Sequence, residues 1–131
     1  MKILIAEDDF VSRKLLFSQL SFLGDVDIAA NGKEAILAVQ LSHSENKPYD
    51  LIFLDIIMPE SDGIKALADI RRLEFQAGLD KAHSSIIVML TAHSEKDHVV
   101  AAAKSNCDCY LIKPVAKQRL YDKLRELGFD I

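Results

Sequence analysis

The chain has 131 residues, a net charge of −4 and a hydrophobic content of 50%. This length suits a single domain, residues 1–131, with one sizeable core. The mild acidic excess argues against nucleic acid or an anionic membrane as the main partner, because those surfaces attract clusters of Lys and Arg. No apolar run reaches the roughly 18 residues that span a bilayer, and the N-terminus lacks the cleavage region of a signal peptide. We therefore expect a cytoplasmic protein.

The two cysteines of the chain, Cys107 and Cys109, are separated by one residue. This spacing fits neither the CxxC motif of redox proteins nor the paired knuckles of a zinc site. We expect ordinary reduced thiols that are largely buried.

Five short runs rich in Ile, Val, Leu and Phe predict β-strands along the chain. The predicted strands are Ile3–Ala6, Val26–Ala29, Leu51–Leu54, Ile86–Leu90 and Tyr110–Ile112. Three of these runs are almost continuously apolar, which is typical of parallel strands that are covered on both faces.

Longer stretches with helical spacing of apolar residues alternate with these strands. The predicted helices span about Phe10–Phe22 and Gly32–Ser42, begin near Asp62-Gly63 and near Ser94, and follow Pro114. We expect the first helix to stop at Gly24 in a left-handed conformation. The segment Phe75–Ser85 is compatible with an extended third helix followed by a loop. Five strands alternating with five helices predict a doubly wound parallel α/β sheet with right-handed crossovers.

Chemically reactive side chains follow the predicted strands at the point where each strand ends. They are Glu7-Asp8-Asp9 after the first strand, Asp55 after the third, Thr91 after the fourth and Lys113 after the fifth. In open parallel sheets, function gathers at this edge. Two carboxylates about 4 Å apart repel by about 4 kcal/mol at an effective dielectric of roughly 20. A cation among them would remove the repulsion, and oxygen ligands with an open face suit Mg²⁺.

Together with Lys113 and Thr91, these acids form a set of residues suited to phosphoryl transfer. Phosphoryl transfer requires neutralised equatorial oxygens and a nucleophile in line with the leaving group. A metal and a lysine neutralise charge, a hydroxyl hydrogen-bonds a transferred oxygen, and a carboxylate attacks. Asp55 is the best candidate nucleophile because it ends the central apolar strand and precedes a stretch without competing acids. Glu7 and Asp8 would then be metal ligands.

These residues lie in five motifs that stand in a characteristic order. The motifs are Ile3-Leu4-Ile5-Ala6-Glu7-Asp8-Asp9, Asp50-Leu51-Ile52-Phe53-Leu54-Asp55-Ile56-Ile57-Met58-Pro59, Asp62-Gly63, Leu90-Thr91-Ala92 and Lys113-Pro114. Together they make essentially the whole chain resemble the receiver domains of bacterial two-component response regulators, including the stand-alone chemotaxis type. The resemblance implies a flavodoxin-like fold, in which five helices flank a five-stranded parallel sheet of strand order 2-1-3-4-5.

The resemblance also implies a phosphorylation and metal chemistry for the site. Asp55 would accept a phosphoryl group from the phosphohistidine of a histidine kinase or a histidine phosphotransfer protein. Asp8, Asp55 and the backbone carbonyl of Ile57 would bind Mg²⁺ directly, and Glu7 would act at the metal through water. Such a receiver catalyses its own phosphorylation and dephosphorylation and is not a conventional turnover enzyme.

A switch is implied as well, with Asp55, Lys113 and Thr91 as the catalytic set. Thr91 would swing toward the phosphoryl group, and Tyr110 would be the rotating aromatic residue that follows it. The surface of the fourth helix, the fifth strand and the fifth helix, here called the output face, would then bind a downstream protein. The Lys113–Pro114 peptide bond would be cis.

Other interpretations compete with this one. A Mg²⁺-dependent phosphatase with an aspartyl nucleophile usually places that nucleophile after the first strand and carries a substrate cap, and this chain has no insertion of that size. A phosphate-independent scaffold would require a damaged acceptor site. Among single residues, Asp8 or Asp9 is also a candidate helix cap. Thr91 is compatible with a plain strand-end residue, and Tyr110 with a half-buried strand tyrosine.

Overall fold

The computed structural model describes residues 1–58, 61–92 and 106–131. Its main sheet contains the strands β1 (Lys2–Ala6), β2 (Asp25–Ala29), β3 (Leu51–Asp55), β4 (Ile86–Ala92) and β5 (Cys109–Lys113). All neighbouring strands pair in parallel, in the order β2-β1-β3-β4-β5. The predicted flavodoxin-like sheet is therefore confirmed, and each observed strand extends its predicted run by one or two residues.

The described residues contain four helices: α1 (Phe10–Leu20), α2 (Gly32–Ser44), α3 (Gly63–Gln76) and the C-terminal helix (Lys117–Glu126). The fourth predicted helix, which begins near Ser94, lies outside the described residues. A short antiparallel hairpin of Ile57–Met58 and Ser61–Asp62, which the sequence did not predict, connects β3 to α3. No helix in this described part of the chain combines the length and apolar character needed to cross a membrane.

Alternate side chains of the central strands point into two separate apolar layers. Leu4, Ile52 and Met89 pack with residues of α2 and α3 on one face of the sheet. On the other face, Ile5 and Phe53 pack with residues of α1 and the C-terminal helix. Because β1, β3 and β4 are covered on both faces, they read as continuous apolar runs in the sequence. Helices packed on both faces hold the sheet in place, and the residues discussed below lie at its carboxyl edge.

The prediction that Gly24 stops α1 in a left-handed conformation is wrong. The helix ends at Leu20, and positive φ angles among the described glycines occur at Gly78 and Gly128, just after α3 and the C-terminal helix. At Gly24 the requirement is space, because a Cβ there would overlap with the carbonyl oxygen of Met1. That carbonyl accepts a hydrogen bond of 2.9 Å from the Asp25 N–H, which sets the start of β2 beside β1.

The cysteines also differ from the prediction in their burial. Cys107 and Cys109 are free thiols, as expected, but both are only half-buried. Burial of the Cys109 side chain raises the pKa of its thiol to about 11. The reactive thiolate is therefore scarce at neutral pH, in keeping with an ordinary structural role.

Candidate functional site

The carboxyl edge of the sheet brings together the acids that the sequence singled out. Asp55 is the last residue of β3, and the pairing of Ala6 with Leu54 places Glu7 beside it at the end of β1. Lys113 ends β5 on the other side of β4. Glu7 is fully buried and Asp55 is nearly so, whereas Asp8 is exposed at the mouth of the site. Four residues from three strand ends thus lie close together.

Lys113 links the two buried carboxylates. Its Nζ lies 2.9 Å from Asp55 Oδ2 and 3.0 Å from Glu7 Oε1, so the ammonium donates a hydrogen bond to each. Burial opposes ionisation of Lys113, but the hydrogen bonds to Asp55 and Glu7 outweigh it and raise the pKa of this lysine. Lys113 is therefore a permanent cation at the position where a transferred phosphoryl group would need one.

The acids form a group with the composition of a divalent-cation site. Glu7, Asp8 and Asp55 each offer a carboxylate oxygen, and these atoms lie within 4.8 Å of one another. Three carboxylates and the ammonium of Lys113 sum to two net negative charges when all are ionised. Glu7 Oε2 is also buried, with no hydrogen-bond partner in the described part of the chain. An unpaired buried carboxylate oxygen and a double negative charge both fit a bound divalent cation.

The surroundings of Glu7 raise the pKa of its carboxyl group. Burial of its carboxyl group, together with the neighbouring carboxylate of Asp55, raises its pKa from 4.5 to about 7, although Lys113 opposes the shift. Without a metal, protonated Glu7 thus becomes common near neutral pH. The same carboxyl group is free to ionise when a cation approaches, because the cation replaces the lost solvation.

This shift predicts how the stability of the metal-free protein depends on pH. The native state binds the Glu7 proton more tightly than the unfolded chain, so the Glu7 contribution is favourable below pH 4.5 and is lost as the pH rises to about 7. We expect the free energy of unfolding to lose on the order of 2 kcal/mol across this window through Glu7 alone. Urea unfolding in EDTA between pH 5 and 8, compared with Glu7→Gln, measures it. A constant difference between the two proteins at every pH would contradict the shift.

Backbone contacts hold Asp55 in place. The Ile57 N–H donates to Asp55 Oδ1 over 3.2 Å, and the Ile56 N–H donates to the Leu90 carbonyl of β4 over 2.9 Å. Gly63 packs against the same turn, because its own N–H donates to the Ile56 carbonyl over 2.9 Å. The sequence drew attention to Asp62-Gly63 as a motif but did not reveal that Gly63 contacts the backbone of Asp55 and Ile56. A contact of this kind has no signature in local composition.

Each remaining predicted residue has a defined position. Thr91 is buried and lies inside β4, one residue before its end and therefore not after the strand as predicted. Tyr110 lies in β5 with 36% of its surface exposed, three residues before Lys113. The side chain of Ile57 faces solvent, and its main chain borders Asp55. Asp9 caps α1 by accepting a 2.9 Å hydrogen bond from the Ser12 N–H, so its structural interpretation is confirmed.

Comparison with known proteins places this geometry in a family. The profile of the response regulator receiver domain matches residues 3–125, almost the whole chain. The chain belongs to this family. As a receiver domain, it is a signalling domain of two-component phosphorelays. The cis Lys113–Pro114 bond, which the resemblance had implied, is present in the structure.

Individual relatives agree with this assignment. The osmosensing histidine protein kinase SLN1 of Saccharomyces cerevisiae is 30% identical over 96% of this chain and 10% of its own length. The transcriptional regulatory protein YhcZ of Bacillus subtilis is 32% identical over 92% of this chain and 51% of its own. The chain thus spans about half or less of these curated relatives.

A solved structure shows the same architecture. The receiver domain of the histidine kinase CKI1 from Arabidopsis thaliana, complexed with Mg²⁺ and BeF₃⁻, is 25% identical and superposes with a TM-score of 0.79. The similarity covers 97% of this chain and 90% of that one. The family match gives no support to the phosphatase alternative.

Proposed function

We propose that this receiver domain accepts a phosphoryl group on Asp55 from the phosphohistidine of a histidine kinase or a histidine phosphotransfer protein. One observation carries the proposal: carboxylate oxygens of Asp55, Glu7 and Asp8 lie within 4.8 Å of one another, and Asp55 accepts a hydrogen bond of 2.9 Å from the Lys113 ammonium. A carboxylate, a set of oxygen ligands and a fixed cation are the groups that phosphoryl transfer to an acid requires. The residues 1–131 would form one receiver domain.

The transfer exchanges one bond to phosphorus for another. A carboxylate oxygen of Asp55 attacks the phosphorus of the phosphohistidine, and the P–N bond breaks as the new P–O bond forms. The electron pair of the P–N bond stays on the imidazole nitrogen of the donor. The phosphohistidine reacts with its other ring nitrogen protonated, so the products are an acyl phosphate on Asp55 and a neutral histidine on the donor.

The residues around Asp55 would divide the work of this step. The Ile57 N–H and the Lys113 ammonium hold the two oxygens of the Asp55 carboxylate, which fixes its orientation before attack. After transfer, the Lys113 ammonium would follow the negative charge to a phosphoryl oxygen, and the Thr91 hydroxyl would donate to another. These roles predict that loss of either donor slows the transfer without removing the nucleophile.

The cation that we propose for this site is Mg²⁺. Asp8, Asp55 and the Ile57 carbonyl would bind it, with Glu7 acting at the metal through water. When bound, Mg²⁺ would neutralise charge on the phosphoryl oxygens. The receiver domain of CKI1 was solved with Mg²⁺ and BeF₃⁻, and this supports the choice for a chain of the same fold.

Phosphorylation would act as a switch rather than as one step of enzymatic turnover. Phosphate on Asp55 would draw Thr91 inward and Tyr110 after it, shifting the population of two conformations of the output face. Within the described part of this face, Tyr110 and Ile112 present partly exposed apolar side chains on β5. A downstream protein in the cytoplasm would bind there, with no role for nucleic acid or membrane.

Acetyl phosphate labelling tests the central role of Asp55. We expect native protein incubated with acetyl phosphate and Mg²⁺ to gain one phosphoryl group by intact-mass measurement, and Asp55→Asn to gain none, because an amide is not a nucleophile for phosphorus. Omitting Mg²⁺ should slow the labelling strongly.

A matched control is available at the other end of β3. Asp50 is exposed and lies just before β3, at the opposite end from Asp55. The Asp50→Asn variant should therefore label at the native rate. Labelling that persists in Asp55→Asn would refute the assignment, and continuous hydrolysis of a generic phosphate ester such as p-nitrophenyl phosphate would favour the phosphatase instead.

A further inference from the structure

Gln19 is a polar residue on the buried face of α1. It is 8% exposed and lies between the fully packed Leu16 and Leu20, where helical spacing calls for an apolar side chain. Its Oε1 is buried and has no hydrogen-bond partner in the described ranges of the chain. A buried amide that satisfies only part of its bonding capacity costs stability relative to an apolar side chain of the same size.

The amide nitrogen of Gln19 holds the connection between β5 and the C-terminal helix. Nε2 donates to the carbonyl oxygen of Val115 over 3.2 Å, and both groups are buried. Val115 stands two residues after Lys113 in the chain. On its other side, the main-chain carbonyl of Gln19 accepts a 2.8 Å hydrogen bond from the hydroxyl of Tyr121 in the C-terminal helix.

This connection has few other anchors. Pro114 has no N–H to donate, and Ala116, the N-cap of the C-terminal helix, has no side chain that could cap it. Among side-chain hydrogen bonds within the described residues, the bond from Gln19 is the one that reaches residues 114–116. Gln19 therefore holds the backbone just after Lys113 together with burial of the Val115 side chain and the backbone hydrogen bond from the Leu120 N–H to the Ala116 carbonyl.

The same helix is attached to the acidic half of the site. Asp9 caps the first turn of α1, and the Arg13 Nη1 donates to the Glu7 carbonyl over 3.3 Å. α1 thus contacts the loop that carries the acids at one end and the segment that follows the lysine further along. A helix of this length is stiff, so it can fix the distance between the two segments.

We propose that Gln19 is a positioning residue for phosphoryl transfer, which keeps the Lys113 ammonium between Glu7 and Asp55 by holding the Val115 carbonyl. The predicted effect on phosphoryl transfer rests on the proposed function of Asp55, whereas the contacts of Gln19 and Lys113 do not depend on it. Lys113 makes two hydrogen bonds of 2.9 and 3.0 Å, and a displacement of about 1 Å would weaken both of them steeply.

The variant Gln19→Met tests this role because methionine keeps the length of the side chain and removes both the donor and the unpaired oxygen. We expect acetyl phosphate labelling of Asp55 to slow by about tenfold, since small misplacements at a reacting centre are costly. The loss should appear in the rate at saturating acetyl phosphate. The free energy of unfolding should change only slightly, because loss of the unpaired Oε1 offsets the Val115 carbonyl that is left without its donor.

A second readout needs no phosphorylation. The Lys113 ammonium competes with a metal for the carboxylates, so a loosened Lys113 should let Mg²⁺ bind several-fold more tightly in a calorimetric titration with the metal alone. Lys113→Ala should tighten binding further, and adding Gln19→Met to Lys113→Ala should have no additional effect. Tyr121→Phe, which removes the other bond to Gln19, is the matched control and should leave labelling rate and Mg²⁺ affinity unchanged.

The outcomes separate this inference from the proposed function. If native protein is not labelled at Asp55, the proposed function fails, while the Mg²⁺ titrations still decide the positioning role. The inference is overturned if Gln19→Met leaves Mg²⁺ affinity at the native value, or changes it equally with and without Lys113. It is also overturned if native protein is labelled and Gln19→Met is labelled just as fast.

Discussion

Replacing Gly63 with alanine is expected to destabilise the protein by about 2 to 3 kcal/mol and to slow labelling of Asp55 by about tenfold or more. A Cβ on Gly63 would overlap with the Asp55 carbonyl and lie 2.7 Å from the Ile56 Cα. These are backbone atoms that no rotamer change can move aside. The added methyl group must push the backbone of Asp55 and Ile56 away from α3, which displaces the Asp55 side chain.

A second glycine of the chain provides the control. Gly78 has a φ of 75° and nothing within 4 Å of an added Cβ. The Gly78→Ala variant should therefore lose about 1 kcal/mol through backbone strain alone, with no effect on labelling. Urea unfolding and intact-mass labelling distinguish the two variants. If Gly63→Ala is labelled at the native rate, the contact between Gly63 and the backbone of Asp55 and Ile56 does not control the reactivity of Asp55.

The contrast between these glycines shows what the sequence could and could not reveal. The strands were predictable because Leu51–Asp55 and Ile86–Ala92 lie between two apolar layers. Burial on both faces requires consecutive apolar residues, and such a run is visible in the sequence. The acids of the site were predictable because a charge directly after such a strand must lie at its end. Both inferences use neighbours in the chain.

Other features depend on residues that are distant in sequence. Gly24 is needed for its approach to Met1, and Gly63 for its approach to Asp55, so neither requirement appears in local periodicity. The role of Gln19 depends on a partner 96 residues away. On a helix of weak amphipathicity, Gln19 could not be told from a solvent-facing residue. Polar contacts between elements are the part of this site that needed the structure.

Arg71 and Glu74 illustrate the same limit at the opposite end of the sheet. Both are charged residues of α3, yet Glu74 is almost completely buried. Its carboxylate accepts hydrogen bonds of 2.8 Å from Arg71 Nη1 and 2.7 Å from the Ser85 N–H. Arg71 also donates to the carbonyls of Asn106 and Ser85 and to the carboxylate of Asp108. One guanidinium therefore ties α3 to the segments that lead into β4 and β5.

Arg71→Met is expected to lower the free energy of unfolding by about 3 to 5 kcal/mol, because it leaves the Glu74 carboxylate buried without its cation. The neighbouring Arg72 is the matched control: 62% of its side chain is exposed, and it pairs with Asp69 on the surface of α3. Arg72→Met should cost about 1 kcal/mol or less. Urea unfolding at neutral pH measures both variants.

A double variant identifies the cause of the Arg71 effect. In Arg71→Met combined with Glu74→Leu no buried charge is left unpaired, so we expect the double variant to recover part of the stability that the single variant loses. Simple loss of packing around Arg71 would instead make the second substitution add to the first. Because this cluster lies at the amino end of β4, far along the sheet from Asp55, folded Arg71→Met should still be labelled at the native rate. Slower labelling of the folded variant would show that the two ends of the sheet are coupled.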